Sequence, residues 1–378
     1  MAKYFLIAGE ASGDLHAGNL MEQIRLLDPE AVFTGLGGGR MAVAGCTLYQ
    51  HIRHMAFMGF AAVIRNWRQV KENFRITREA LVKEQPDVLI LIDYPSFNLR
   101  MAEFCRKYLP ATRIVYYIPP KVWAWKRRRV HRIARLCDEV LGIFPFEPEF
   151  YARYGYQCTY VGNPTAEQIA NQKSKIKYRK SSIALLPGSR PSEIKHCLPK
   201  MLEAAQHFPD YAIKVCAAPG IEDSFYTPYL QNTRATLTRN TYEAVQTASA
   251  AIVNSGTATL ETALLRCPQV AVYHLVGSSL IRLIRWAQPL LFSIPYFTLV
   301  NIISQKEVIK EYLANDFTVT NVTRELDRLL HDEAYQKEML ASYEHLSSIL
   351  GSQPASVLAA ERITALLPVK PTHTASSQ

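Results

Sequence analysis

Two stretches of this chain place small and hydroxylated residues between an apolar run and a helical pattern. In "NSGTATLE", which follows "AAIV", Ser255, Gly256, Thr257 and Thr259 lead to Glu261. In "ALLPGSRPSEI", Gly188 and Ser189 open a turn, Arg190 follows, and Glu193 lies in the next helical segment. Ser and Thr at such places cap helices by accepting bonds from the first N–H groups. Those N–H groups and the helix dipole also attract phosphate, and glycine lets a ligand come close. Arg190 adds a planar fork matched to phosphate oxygens. Either turn alone reads more simply as a cap. Two in one half of the chain point to a nucleotide-diphosphate site, with Glu261 set to reach a ribose hydroxyl pair. Neither turn carries the Gly-Lys-Ser/Thr ending of a P-loop, so ATP hydrolysis is not indicated.

The first half offers acids. In "LILIDYPSFN", Asp93 directly follows a buried strand, at the carboxyl edge where open α/β sheets bind ligands. A carboxylate there costs desolvation energy unless paired or used. It either hydrogen-bonds loop backbone or serves as a general base, and the base is the expectation carried forward. In "AGEASGDLHAGNL", Glu10 and Asp14 are expected to face substrate, with a plain helix cap the equal alternative for Asp14. "GLGGGR" resembles a dinucleotide fingerprint only loosely, because Arg40 stands where the third glycine belongs, so NAD is not expected. His51 and His54 have helical spacing but no Cys or carboxylate cluster beside them, so no metal site is expected.

Two further stretches suit a surface. Trp123 and Trp125 flank the basic run that contains Lys126, Arg127, Arg128 and Arg129. This reads as a solvated helix face, a patch for anionic lipid, or a grip on an acceptor phosphate; nucleic acid is the competing partner. Upstream, Met58, Phe60, Val63 and Ile64 in "HMAFMGFAAVIRNW" make either core or a lipid-facing surface.

The elements that must hold these residues follow from the pattern. Short apolar runs alternate with helical segments, which predicts parallel βαβ units. "KYFLIAG", "AVFTGLGG", "PDVLILID", "TRIVYYI", "DEVLGIF" and "CTYVGN" read as strands, with helices over Leu15–Leu27, Val70–Lys83 and Leu99–Lys107. "NPTAEQIANQKSKIKYRKSS" reads as a polar linker, and "SIALLPGS", "YAIKVCAA", "RATLTRN", "AAIVNSG" and "PQVAVYHL" form a second series. Helices are expected over Thr323–Leu350 and Ala355–Leu366. The fold class is therefore α/β: two Rossmann-like doubly wound domains facing a cleft, with C-terminal helices. The expected boundaries are 1–165, 166–345 (with the candidate nucleotide-diphosphate turns) and 346–378, a helix packing back on the first domain and a tail. The 378 residues exceed one ordinary core, and the net charge of +10 suits an anionic partner. Seven Cys without a C-x-x-C pair read as reduced thiols of the cytoplasm, and no apolar stretch reaches the ~18 residues of a spanning helix.

Taken in order, "AGEASGD", "GLGG", "MGF", "IDYPSFN", "VWAWK", "FPFE", "YVGNP", "LLPGSR" and "SGTATLE" resemble the lipid-A-disaccharide synthase family, over nearly the whole chain. The resemblance implies an inverting GT-B glycosyltransferase without cofactor or metal. Its reaction joins UDP-2,3-diacylglucosamine to 2,3-diacylglucosamine 1-phosphate, giving the β(1→6) disaccharide and UDP, at the cytoplasmic face of the Gram-negative inner membrane. It implies Asp93 as base, Arg190 and the Ser255–Thr257 N–H groups on departing UDP, and Asn301 near the uridine. Homo-oligomers are compatible with it, and nucleic acid is not expected. The chain departs from the family pattern at Ser96 (usually Asp), Pro119 and Lys121 (usually Ser), Asn163 (usually His), and around Glu311, where Lys310 and Ala314 replace Pro and Gln. The alternatives are an enzyme like UDP-N-acetylglucosamine 2-epimerase, sharing fold and diphosphate turn, and a non-enzymatic basic protein binding membrane or RNA.

Overall fold

The computed structural model describes residues 1–55, 67–123, 127–172, 181–254, 256–274, 296–351 and 353–367. It divides into two compact units, Met1–Pro164 with Gln353–Gln378, and Thr165–Ser352. The first unit runs β1 (Lys3–Ala8), α1 (Ala11–Leu27), β2 (Val32–Gly37), α2 (Gly39–Val43), β3 (Thr47–His51), α3 (Trp67–Glu84), β4 (Val88–Ile92), α4 (Pro95–Tyr108), β5 (Arg113–Tyr117), α5 (Arg129–Leu136), β6 (Glu139–Gly142), α6 (Glu147–Ala152) and β7 (Thr159–Tyr160). All pairings are parallel, in the order β3-β2-β1-β4-β5-β6-β7. Helices cover both faces of such a sheet, which is why "VLILI" of β4 is apolar throughout and buried at every position.

At the junction, α7 (Pro164–Gln172) occupies the start of the expected linker. Pro164 suits the first turn of that helix, where a missing N–H is harmless. The second unit follows with β8 (Ser182–Leu186), α8 (Pro191–Gln206), β9 (Ala212–Cys216), α9 (Asp223–Leu230), β10 (Ala235–Thr238), α10 (Thr241–Thr247), β11 (Ala250–Val253), α11 (Gly256–Leu264), β12 (Gln269–Tyr273), α12 (Leu299–Ser304), β13 (Glu311–Leu313), α13 (Val319–His331) and α14 (Glu333–Leu350). Its sheet is again parallel, in the order β10-β9-β8-β11-β12-β13. Finally α15 (Ala355–Thr364) returns to the first unit, where Ala359, Ala360 and Ile363 pack with Ala17, Leu20 and Ile24 of α1 in one buried cluster.

Several elements differ from expectation for local reasons. The strands β3 and β13 are edge strands of modest burial, and "TLYQH" and "EYL" carry no apolar run to announce them. The single helix expected over Thr323–Leu350 is two, because the Asp332 side chain accepts from the Tyr335 N–H at 3.0 Å and starts α14. That helix continues through the expected boundary at 345/346, and the second unit ends at Ser352.

Both sheets reverse strand order next to their first strand, between β1 and β4 and between β8 and β11. Carboxyl ends flanking such a reversal diverge into helices on opposite faces and leave a crevice. In register, Ala8 pairs with Ile92 and Leu186 with Val253. The loops singled out for chemistry therefore leave adjacent strands in each unit.

Candidate functional site

In the first unit, Asp93 and Tyr94 leave β4 with φ of 45° each, a left-handed conformation that costs non-glycine residues energy. The surroundings hold it in place. The Asp93 carbonyl accepts from the Tyr116 hydroxyl at 2.7 Å and from Asn98 Nδ2 at 2.8 Å. The Tyr94 hydroxyl donates to the Met55 carbonyl at 2.9 Å. Its ring lies over Gly9, where a Cβ would come within 2.3 Å of a ring carbon, so only glycine fits there. With its backbone pinned, the Asp93 carboxyl is aimed rather than free. Burial pushes it above the ordinary Asp range, while the Lys121 cation and the Tyr94 N–H pull it back.

Of its expected companions, Glu10 occupies the N-cap position of α1 on extended backbone, partly exposed, and after burial its charge is the second cause that raises the Tyr94 phenol. Asp14 requires correction. It is buried at 4% exposure inside the helix whose N-cap is Glu10. Its carboxylate accepts from the N–H groups of Gly38 at 2.7 Å, Arg40 at 3.0 Å and Met41 at 3.1 Å, closing the turn into α2. Three such bonds fill it.

Trp123 is corrected likewise. It is 3% exposed and packs edge-on against Phe144 and Phe146, and its indole N–H donates to Glu147 Oε1 at 3.1 Å. Glu147 also accepts from the N–H groups of Ile143 and Phe144, yet burial drives its carboxyl up to about 7. Arg127 and Arg128 are exposed, and Arg129 opens α5, partly covered. Trp125, Lys126, Met58, Phe60, Val63 and Ile64 lie outside the described residues. Among the described residues no helix is long and apolar enough to cross a membrane, and no cluster of ligating side chains fits a metal ion.

In the second unit, Gly188 has φ of 115°, and a Cβ there would sit 2.6 Å from Glu193 Oε2. Glu193 bonds within its own turn. Its Oε2 accepts from the N–H groups of Ser189 at 3.0 Å and Arg190 at 3.3 Å, and its Oε1 from Arg190 Nη1 at 3.0 Å. The N–H pair expected to cradle phosphate already holds a carboxylate. The Arg190 side chain remains 56% exposed. Asn254 ties this turn to the next one, its Nδ2 donating to the Pro187 carbonyl at 2.9 Å.

The α11 turn is different. A Cβ built on Gly256 would meet nothing within 4 Å, and Thr257 is exposed. Ser255 lies outside the described residues. Glu261 is partly buried, and burial raises its carboxyl. Two residues expected to contact ligand spend their polar atoms within the chain. Thr259 is fully buried, its hydroxyl donating to the Gly256 carbonyl at 2.8 Å. Asn301 is fully buried too, and its amide is saturated. Oδ1 accepts from Val308 N–H at 2.7 Å and Ile309 N–H at 3.0 Å, while Nδ2 donates to the Ile309 carbonyl and Glu311 Oε1, each at 2.9 Å. It braces α12 against the stretch leading into β13.

The positions that depart from the family pattern fit their surroundings. Ser96 is exposed in the first turn of α4, and Asn163 Nδ2 donates to the Ile143 carbonyl at 3.1 Å. Lys310 pairs with Glu307, and Ala314 takes φ of 52° after β13. Three contributors went unrecognised from sequence: Tyr94, Tyr116 and Glu147. The flanks of Asp93 carried a usable signal, since a strand ending in "DYP" must turn sharply before a proline-started helix.

Two parallel doubly wound units, each with its loops of interest at the strand-order reversal, define the architecture of nucleotide-sugar enzymes of the GT-B type. Solved structures with this fold include the glycotransferase of kitacinnamycin (TM-score 0.66, 12% identity, 97% of this chain and 99% of that one). A putative UDP-N-acetylglucosamine 2-epimerase from Listeria monocytogenes also shares it (TM-score 0.62, 11% identity, 96% and 95% covered). At such identity the fold alone is shared. Sequence discriminates further: the lipid-A-disaccharide synthetase family profile matches residues 4–361. The chain is 35% identical to "Lipid-A-disaccharide synthase" of Myxococcus xanthus, covering 97% of this chain and 98% of that protein. It is 33% identical to "Lipid-A-disaccharide synthase 1" of Legionella pneumophila, covering 98% of each. The chain belongs to the lipid-A-disaccharide synthase family and is a glycosyltransferase.

Proposed function

We propose that the protein transfers 2,3-diacylglucosamine from its UDP derivative to the 6-hydroxyl of 2,3-diacylglucosamine 1-phosphate, releasing UDP by single displacement. The observation that supports this most is Asp93, a pinned carboxyl held above its ordinary range at the strand-order reversal of the first unit. It takes the proton as the acceptor oxygen attacks the anomeric carbon, with Glu10 beside it on the neighbouring strand-end loop. Arg190 and the open N-terminus of α11 receive the negative charge growing on UDP, and Glu261 meets the ribose. Preorganised donors of this kind contribute about 3–4 kcal/mol each by deletion. The exposed Arg127 and Arg128 draw the protein to the anionic cytoplasmic leaflet, where both lipid substrates reside.

The test is incubation of purified protein with labelled UDP-diacylglucosamine and the 1-phosphate acceptor in detergent. Disaccharide and UDP in equal amounts are expected. A free epimer instead supports the epimerase reading, and no turnover with tight RNA retention supports a binding protein.

A further inference from the structure

Beside the α11 turn stands a pair of histidines that the family motifs do not include. His274 directly follows β12, and its ring stacks on His196 of α8 with centroids 4.3 Å apart and planes 17° from parallel. Val253 pairs with Ala271, so His274 and the first turn of α11 leave neighbouring strands at the same sheet edge, strands ~4.8 Å apart. From the other side, α8 begins at the Gly188–Arg190 turn, and His196 lies six residues past Arg190. One turn beyond His196, Lys200 is fixed by donating to the Phe317 carbonyl at 3.0 Å, with its ammonium 4.9 Å over the Phe317 ring.

Neither imidazole has a hydrogen-bond partner among the described residues. Burial first, then His196 and the Lys200 ammonium, hold His274 below the ordinary imidazole range. The acids nearby are spoken for: Glu193 binds the turn, and Glu311, on the adjoining β13, holds the Thr298 N–H and Asn301. Two stacked rings with an ammonium beside them repel one another when charged. An anion set against their edges turns that repulsion into attraction.

Resting on the nucleotide reading above, we infer that His196 and His274 form a second anion contact, which takes a phosphoryl group of the bound nucleoside diphosphate. Each ring donates one N–H, and Lys200 adds its field from a fixed position. The pair thereby makes up for the Ser189 and Arg190 N–H groups that Glu193 occupies.

Calorimetry of UDP and of uridine on the wild type, His196→Gln, His274→Gln and the double variant tests this. Each single change is expected to weaken UDP about tenfold while leaving uridine affinity unchanged, the size of one lost bond to a charged group. UDP affinity equal to wild type in the double variant overturns the inference. So does an equal loss for UDP and uridine, which makes the rings part of the base pocket or the fold. His196 is exposed, so His196→Gln preserves folding should His274→Gln not. A wild type that forms disaccharide but gains nothing from the rings refutes this inference alone. A wild type that binds no UDP removes the nucleotide reading with it.

Discussion

Replacing Asp93 by Asn separates proton transfer from everything else this residue does. The backbone contacts survive, because Tyr116 and Asn98 hold the Asp93 carbonyl and not its side chain. The amide oxygen can still accept from the Tyr94 N–H. What disappears is the capacity to take a proton, which as general-base catalysis contributes about 10²–10⁴-fold, or about 3–5 kcal/mol of barrier. We expect kcat to fall by that factor with calorimetric UDP affinity unchanged. In the wild type, kcat/KM should fall as pH drops through the Asp93 pKa, which burial lifts above 3.8, because only the carboxylate is competent. The variant should lack that limb. Stability moves the other way. A carboxyl raised in the fold contributes stability below its unfolded pKa and loses it as pH rises through the folded value. Asp93→Asn should therefore melt at or above the wild-type temperature at pH 8. Near-normal turnover in Asp93→Asn, with collapse in Glu10→Gln, would place the base on the β1 loop and refute the assignment.

Arg190→Ala should weaken UDP binding and turnover together without unfolding, and Arg190→Lys should rescue little, since a point charge lacks the fork; calorimetry beside kinetics checks both. Asn301→Ala strands the buried N–H groups of Val308 and Ile309, so the melting of the second unit should drop by about 2–5 kcal/mol in chemical denaturation. Glu147 is raised from 4.5 to about 7, so its stabilising contribution is complete below pH 4.5 and disappears as pH climbs through 7. Denaturation across that window should show a wild-type decline of up to about 3 kcal/mol that Glu147→Gln lacks. Charge reversal at Arg127 and Arg128 should weaken sedimentation with anionic vesicles by about 1 kcal/mol per residue. Unchanged binding would locate the membrane surface elsewhere.

The fold was legible because parallel strands buried on both faces announce themselves. "VLILI", "RIVYY" and "SIALL" carry uninterrupted apolar runs, and the order of motifs set the two units. What stayed hidden was edge structure and side-chain destination. Glu193, Thr259 and Asn301 have the residue types of ligand contacts, and each spends its polar atoms on its own chain. Type and spacing cannot tell an oxygen aimed at a ligand from one aimed at a buried N–H three residues away. Asp14 shows the same ambiguity, because its partners arrive from Gly38–Met41, more than twenty residues on in sequence. The Asp93 position differs, because Tyr116 and Asn98 bond its backbone and not its side chain. A carboxylate that ends a fully buried strand has few ways to be satisfied locally.

On the proposed reading the two reversals would carry opposite chemistry, and the electrostatics of each sets different demands on its charged groups. A base must hold its proton affinity, and a cation within about 4–6 Å of a carboxyl lowers its pKa by 1–3 units. Arg190 set next to Asp93 would stabilise the ionised form and weaken it as a proton acceptor. Here the cation acting on Asp93 is Lys121, and burial outweighs it. A leaving diphosphate needs the reverse, donors and positive ends with little burial of carboxylates among them. Glu193 refines that rule. By filling the Ser189 and Arg190 N–H groups, it fixes the turn that presents the guanidinium, while a Cβ on Gly256 at the start of α11 would meet nothing within 4 Å. On the proposed reading, one internal carboxylate would orient the donor that the departing diphosphate meets.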